Sequence, residues 1–350
     1  MKLWAPAALA LIFAASVPAT SNADEGGISM WLPGIYGSLA AVPQQQPGWS
    51  LATIGYHTSV SADGDVSRAR EIEIGQFPVG LSATVNATLN ANVDLAIIVP
   101  TYAFATPFLG GQASAGFMAI YGRNNTSLAG TLNGTLTLAG GGIIPFSRSD
   151  AFDSTVTGFG DLYPQFAVRW NSGVHNFMTY LTGDIPVGTY DSSRLANIGI
   201  GHGAIDGGGG YTYFNPQSGQ EFSAVLGFTY NFVNQSTQYQ NGTDMHLDWG
   251  ASQFLTKQIQ IGLVGYIYKE VGCDRGAGDR VGCFQSQVAA IGPQLGFIIP
   301  LSTTVQGYLN FKGYKEFAAE NRPEGWNAWV TFVISPAAVP PPAAKRMVTK

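Results

Sequence analysis

The chain holds 350 residues, of which only 11% are charged, while glycine reaches 45 residues and aromatics 12%. Ordinary soluble domains carry about a quarter charged residues, so this composition argues against a plain water-soluble globule. With 17 basic against 22 acidic residues, no basic surface is available to follow a phosphate backbone, which excludes nucleic acid as a partner.

The N-terminus reads "MKLWAPAALALIFAASVPATSNADEGG". Lys2 is the lone charge ahead of an apolar run, and Ser21 and Ala23 are small residues suited to a cut after Ala23. This predicts a cleaved signal peptide over residues 1–23. The run from Leu3 to Val17 is too short to span a bilayer, and no later stretch approaches 18 consecutive apolar residues. Residues 24–48 then carry a short apolar run between prolines, read as a turn of helix that lies either as a plug in a lumen or along a periplasmic rim. Trp31, Leu32, Ile35, Tyr36 and Leu39 are the plug candidates.

From residue 49 onward the pattern is that of strands. "LSATVNATLNANV", residues 81–93, places apolar residues at odd positions and Ser, Thr or Asn at even ones, a period of two that no helix shares. Marking alternation, and breaks at Gly, Pro and Asn clusters, gives strands over 49–60, 80–90, 93–104, 112–121, 129–140, 158–171, 174–186, 206–214, 221–233, 242–254, 257–269, 287–299, 303–312 and 326–334. That makes about fourteen strands, with twelve possible, and most exceed the five or six residues of a globular strand. A tilted membrane strand needs roughly 9–11 residues.

Long and short connections alternate, as in outer-membrane barrels with short periplasmic turns and long external loops. In such a barrel the odd positions of 81–93 face lipid, while Thr84, Asn86 and Asp94 face a wet lumen. Phe222, Ala224, Leu226, Phe228 and Tyr230 likewise share an outer face, and Trp49, Trp170, Phe214, Phe222 and Phe254 fall at periplasmic strand ends, where an aromatic belt sits. Pro164 and Pro293 share the lipid-facing parity of their strands, and each predicts a bulge or kink. Cys273 and Cys283 flank "DRGAGDRVG" and read, in an exported chain, as one disulfide closing a polar loop. Residues 335–350 are Pro-rich and basic, which suits an extended disordered arm. The fold class expected is all-β: a transmembrane antiparallel β-barrel over 49–334, with a short plug-like segment before it.

Several phrases carry a family resemblance: "LPGIYGSLAAVPQQQPGWSL", "GFGDLYPQFAVRW", "IPVGTYD", "NGTDMHLDWGASQFL" and "IGLVGYIY". Over residues 27–334 the chain resembles outer-membrane barrels associated with meta-pathway phenol degradation, the SphA-like transporters of aromatic compounds. The resemblance implies an outer-membrane location and a transport role. One departure is the extension after Ile334, which leaves a terminal aromatic insertion signal internal.

Strand parity assigns Asp161, Tyr163, Arg169, Tyr180, His246, Asp248, Tyr266, Tyr268 and Tyr308 to the lumen, together with Gln165, Gln260, Gln294 and Lys312. Such residues either line a solute path, with flat solutes stacking on tyrosines, or hydrogen-bond one another and fill the barrel. His246 and Asp248 share a face two positions apart and could form a polar network, an acid–base pair or part of a metal site. Enzymatic motifs are poor, because "GQASAG" misses the nucleophile elbow and "GIGHGA" has no helix after it. No enzyme activity, cofactor or metal is therefore expected. The expected function is passive uptake of small apolar or aromatic, phenol-like compounds, with outer-membrane lipid and lipopolysaccharide as surroundings. Two alternatives remain. One is a structural or adhesive barrel acting through external loops 61–79, 141–157, 187–205 and 270–286; the other is a lipid hydrolase using His246.

Overall fold

The computed structural model describes residues 29–44, 46–63, 83–137, 143–279, 282–283 and 285–337. The signal peptide, most of the 61–79 loop and the arm beyond residue 337 lie outside the described residues. Twelve antiparallel strands close into one barrel: β1 (Gly48–Asp63), β2 (Ala83–Ala103), β3 (Gln112–Thr137), β4 (Ile143–Ser172), β5 (His175–Asp184), β6 (Ala204–Asn215), β7 (Gln220–Asn231), β8 (Asp244–Phe254), β9 (Ile259–Glu270), β10 (Gln287–Pro300), β11 (Val305–Glu320) and β12 (Glu324–Pro336). Each strand pairs with its sequence neighbours, and β1 pairs with β12 to close the ring. Closure gives every strand two partner strands, as a sheet in hydrocarbon requires, although β4 N-terminal to Leu162 pairs with β3 alone among the described strands.

Twelve strands, the lower of the two counts, result from fusion of segments that the sequence divides. The "AN" at 91–92 is the interior of β2, and Asn92 pairs with both Ser59 and Asn125. The Gly- and Asn-rich "GRNNTSLAG", 122–130, is the interior of β3. Segment 141–157 is strand from Ile143 onward and not an external loop. At the other end, Ser335 and Pro336 belong to β12 rather than to the tail.

These fusions make the wall uneven. β2, β3 and β4 have 21, 26 and 30 residues, whereas β5 to β9 have 10 to 12. At roughly 3.3 Å per residue, a strand as long as β4 measures about 100 Å, several times the ~25 Å apolar band of an outer-membrane barrel. The tall part stands clear of the hydrocarbon, and its sidedness reverses accordingly. Asn86, Thr88, Asn90, Asn92 and Asp94 point outward and are exposed, while Ala87 and Leu89 point inward at 5% and 6% exposure. The assignment of Asn86 and Asp94 to the lumen is therefore corrected: Asp94 pairs outside the barrel with His57 at 2.7 Å. Both sides of this strand follow the same rule, polar to water and apolar to a dry interior, but here the dry interior is the barrel's. Leu89 packs there with Ala62, Ala87 and Leu128 and with Phe146, Phe152 and Leu195.

Lower down the usual barrel arrangement holds. Phe222, Leu226, Phe228 and Tyr230 of β7 are 43–48% exposed toward lipid. Aromatics pair at the periplasmic rim, with Trp49 against Tyr102 at 5.2 Å and Phe214 against Phe254 at 5.2 Å. The five connections at this rim span 104–111, 173–174, 216–219, 255–258 and 301–304. On the outer rim, loop 271–286 carries the disulfide Cys273–Cys283. Loop 185–203 folds inward against the wall: Gly188 N and Ile200 N each donate to Asp161 at 2.7 Å, and Asn124 Nδ2 donates to Asn197 O at 2.9 Å. Ala196 is fully buried, so much of the 187–205 segment is committed to the protein's own interior. Within this loop Asp191 accepts from the Ser193 hydroxyl and amide, which holds its carboxyl below the usual range.

Candidate functional site

A segment without regular structure cannot enter a barrel unless its backbone N–H and C=O groups find partners. Residues 29–44 run through the interior as a chain of turns rather than a helix, with Ile35 N on Leu32 O at 3.1 Å and Val42 N on Leu39 O at 3.1 Å. The remaining groups are met by side chains from the wall. Asp248 accepts from Gly34 N at 2.9 Å and from Tyr36 N at 3.2 Å. Lys312 Nζ donates to the carbonyls of Gly34, Ile35 and Tyr36 at 2.5, 3.1 and 3.3 Å. Glu221 accepts from Leu39 N at 2.9 Å, Thr212 Oγ1 from Ala41 N at 3.1 Å, and Gln112 both accepts from and donates to Gln44 at 2.8 and 3.0 Å. Arg169 Nε donates to Ala40 O at 3.3 Å.

Local sequence supports this docking. Gly34 sits at φ +90°, and a Cβ there would meet Tyr314 and Tyr266 ring atoms at 3.0–3.1 Å. Gly250 on β8 leaves room for the segment, since a Cβ would come 2.8 Å from Ser38 N. Side-chain packing adds a second set of contacts. The Trp31 indole stacks on the His246 imidazole at 3.6 Å with planes 14° apart, and Tyr36 and Tyr180 complete the cluster at 5.7–6.0 Å.

The parity-assigned residues do face inward, but the structure gives them separate partners. His246 does not work with Asp248: its Nε2 meets Asp206 at 2.8 Å, both groups being fully buried, and Thr229 donates to the same Asp206 oxygen at 2.6 Å. Asp161 holds loop 185–203, while Arg169 holds the N-terminal segment. Tyr266 donates to Glu316 at 2.7 Å and accepts from Asn327 at 2.8 Å; Tyr308 donates to Gln260 at 3.2 Å. Among the nine lumen candidates only Tyr163, Arg169 and Tyr180 line a cavity described below.

Among the described residues, two cavities lie on either side of the segment. An outer cavity of about 190 Å³ lies beneath the tall wall, and an inner cavity of about 200 Å³ lies on the other side. Met30, Trp31, Leu32 and Tyr163 line both, so they form the partition. The outer cavity is walled by Leu89, Leu95 and Ile120 and by Leu195, Ile198 and Ile200 of the inturned loop. Met30, Leu195, Ile198 and Ile200 were invisible to strand parity because they lie on irregular segments. Leu89 and Leu95 carried a signal, the alternation itself, but it does not say which face is inside.

The inner cavity is unusual in its lining, which includes Phe166 and Leu181, side chains 38% and 56% exposed on the barrel's outside. Its wall coincides with breaks in the hydrogen-bond ladder. β2 and β3 pair up to Ile98↔Ala119 and resume at Thr101↔Gly116, skipping Pro100. β4 and β5 pair down to Gln165↔Thr182, after which a lone bridge, Leu162↔Ile185, follows beyond Pro164. Pro164 pairs with Phe117 on β3, so the two breaks adjoin. Proline has no N–H to give the ladder; at Pro164, where the sequence predicts a bulge or kink, the β3–β4 register runs unshifted and the β4–β5 pairs stop, as part of a larger seam. A similar gap flanks Pro293, where β10–β11 pairing passes from Ile291↔Lys315 to Gln294↔Lys312.

Residues 76–332, more than half of the chain, match the protein family described as "Putative MetA-pathway of phenol degradation". No curated relative matches the chain at a significant level. Among solved structures, an outer membrane channel from Pseudomonas putida F1 aligns with a TM-score of 0.57 at 12% identity, covering 83% of this chain and 96% of that one. The transport unit of the autotransporter AIDA-I from Escherichia coli aligns at 0.37 and 12% identity, covering 85% and 93%, and a Pseudomonas aeruginosa FadL homologue at 0.31 and 9%, covering 83% and 90%. The first of these shares the barrel fold; the other two scores are too low to carry an argument.

Proposed function

The chain belongs to this phenol-degradation family of proteins, and from that membership and the shape of the lumen we propose that it is an outer-membrane channel for passive passage of small apolar or aromatic solutes. The observation that carries the reading is the pair of apolar cavities separated by a thin partition built from residues 30–32 and Tyr163. A solute captured under the tall wall meets Leu89, Leu95 and Ile120, surfaces that reward loss of water at about 25 cal/mol per Å² of apolar area. Displacement of the Met30–Leu32 stretch would join the two cavities. Residues 29–44 serve in this reading as a plug that narrows the path without an energy source. From the inner cavity, the seam at Pro100 and Pro164 offers a way through the wall into the bilayer, where an apolar solute is more stable than in the periplasm. The polar outer faces of β2–β4 would lie among the sugars of lipopolysaccharide.

Uptake of an apolar aromatic such as toluene by intact cells tests the path. Replacing Pro100 and Pro164 together by Val restores two ladder donors, and uptake should fall several-fold while surface abundance stays unchanged. Unchanged uptake by the double variant would remove the seam from the path, and uptake no greater than in cells lacking the protein would remove the channel reading.

A further inference from the structure

The outer cavity holds two charged groups, Arg322 and Glu316, in a mostly apolar lining. Arg322 sits in the short β11–β12 connection, 321–323, at the outer rim, and turns inward to line the cavity. Its guanidinium lies 4.4 Å from the Tyr268 ring centroid. Its Nη1 is buried with no hydrogen-bond partner, and no ion pair joins it among the described residues. The contrast with the other inward cations is sharp. Lys312 is spent on three carbonyls, and Arg169 on Ala40 O and on Ser114 Oγ at 3.2 Å. The residue is half-buried, so the cost of lost hydration falls on the buried Nη1, and a single ring face satisfies none of the guanidinium's donors in the plane.

The rest of the lining has little to offer such a group and little need of a ligand. Glu316 accepts from Tyr266 Oη at 2.7 Å and from Gly325 N at 2.7 Å. Asn124 and Thr126 are bound to the inturned loop and to each other. Asp244, a buried carboxylate behind the lining, accepts from Asn231 at 2.9 Å and acts on Arg322 through space without a hydrogen bond or ion pair to it. The other orphan polar atom among the lining residues is Trp31 Nε1, again a donor. The cavity therefore has unmet donors, one of them cationic, set into an apolar wall.

We propose that this cavity is a binding site for small apolar carboxylates, aromatic acids above all, with the carboxylate on the Arg322 guanidinium and the apolar body against Leu89, Leu95, Ile120 and Ile198. The planar fork of arginine matches a carboxylate in two parallel hydrogen bonds, which lysine cannot reproduce. Glu316 works against the bound anion, and its charge limits the affinity. This deepens the channel reading and rests on it: the site would select, at the outer mouth, which aromatic solutes are captured.

Benzoate and benzamide have one shape and differ in charge, so isothermal titration of the refolded protein with each separates the anchor from the apolar contact. Benzoate should bind at least tenfold more tightly than benzamide. Arg322→Met should erase that difference while leaving benzamide within about twofold, and Arg322→Lys should recover part of it. Glu316→Gln should tighten benzoate and leave benzamide alone. Heat-modifiable mobility on gels verifies that each variant is folded. Equal binding of the two ligands, or a difference that survives Arg322→Met, would overturn the carboxylate site and leave the channel reading standing. Absence of binding by either ligand would overturn the site as well, and if joined to a lack of toluene uptake would take the channel reading with it.

Discussion

Lys312 and Asp248 divide one task between them, the cation taking three carbonyls and the carboxylate two amides of the same turn of the N-terminal segment. Both are buried in the lumen, where an unpaired group costs far more than its bond is worth in water. Lys312→Met should therefore lower unfolding stability by about 3 kcal/mol and loosen the segment, seen as a shifted urea midpoint together with more frequent opening in planar bilayers. A variant that loses stability without more openings would mean that the segment is held by its other contacts. Parity puts Lys312, Asp248 and His246 on the faces opposite their strands' apolar sides, which is inward where lipid lies outside. It did not show whom they meet, because Asp206, the partner of His246, lies 40 residues away on another strand, and Gly34 lies 214 residues from Asp248. Arg322 gives no such signal, because it stands in a turn, where alternation assigns no face.

Strand existence was legible almost throughout, yet strand continuity was not. Asn and Gly are turn residues in most contexts, so "GRNNTSLAG" reads as a break, but Asn124 and Thr126 instead use their side chains to fasten the inturned loop and one another. In the tall wall, alternation is as regular as in the membrane while its meaning is inverted, because water and not lipid lies outside. This has a direct check. With Asn90 outside and Leu89 inside, a membrane-impermeant maleimide applied to whole cells should label Asn90→Cys and spare Leu89→Cys. The reverse pattern would restore a wet lumen at this height. Prolines within strands were a readable sign of ladder breaks; that Pro100 and Pro164 fall side by side through Phe117 required the register.

At the scale of the molecule, a narrow barrel encloses a segment that supplies both its core and its partition. The hydrophobic cluster that joins Met30 to Ile54, Ile97, Met118 and Trp329 is built across the lumen and not between sheets. Twelve strands suit this, since a barrel of this size can be filled by one extended chain. Composition does not tell whether residues 24–48 enter the lumen or lie on the rim, because the hydrogen-bond partners that hold 29–44 inside are spread over seven strands. Single-channel conductance of the mature protein in planar bilayers, beside a variant lacking residues 24–44, tests the account most directly. The account predicts a nearly silent full-length protein with brief openings and a truncated one that conducts steadily. Equal, steady conductance from both would contradict it and place the segment outside the path.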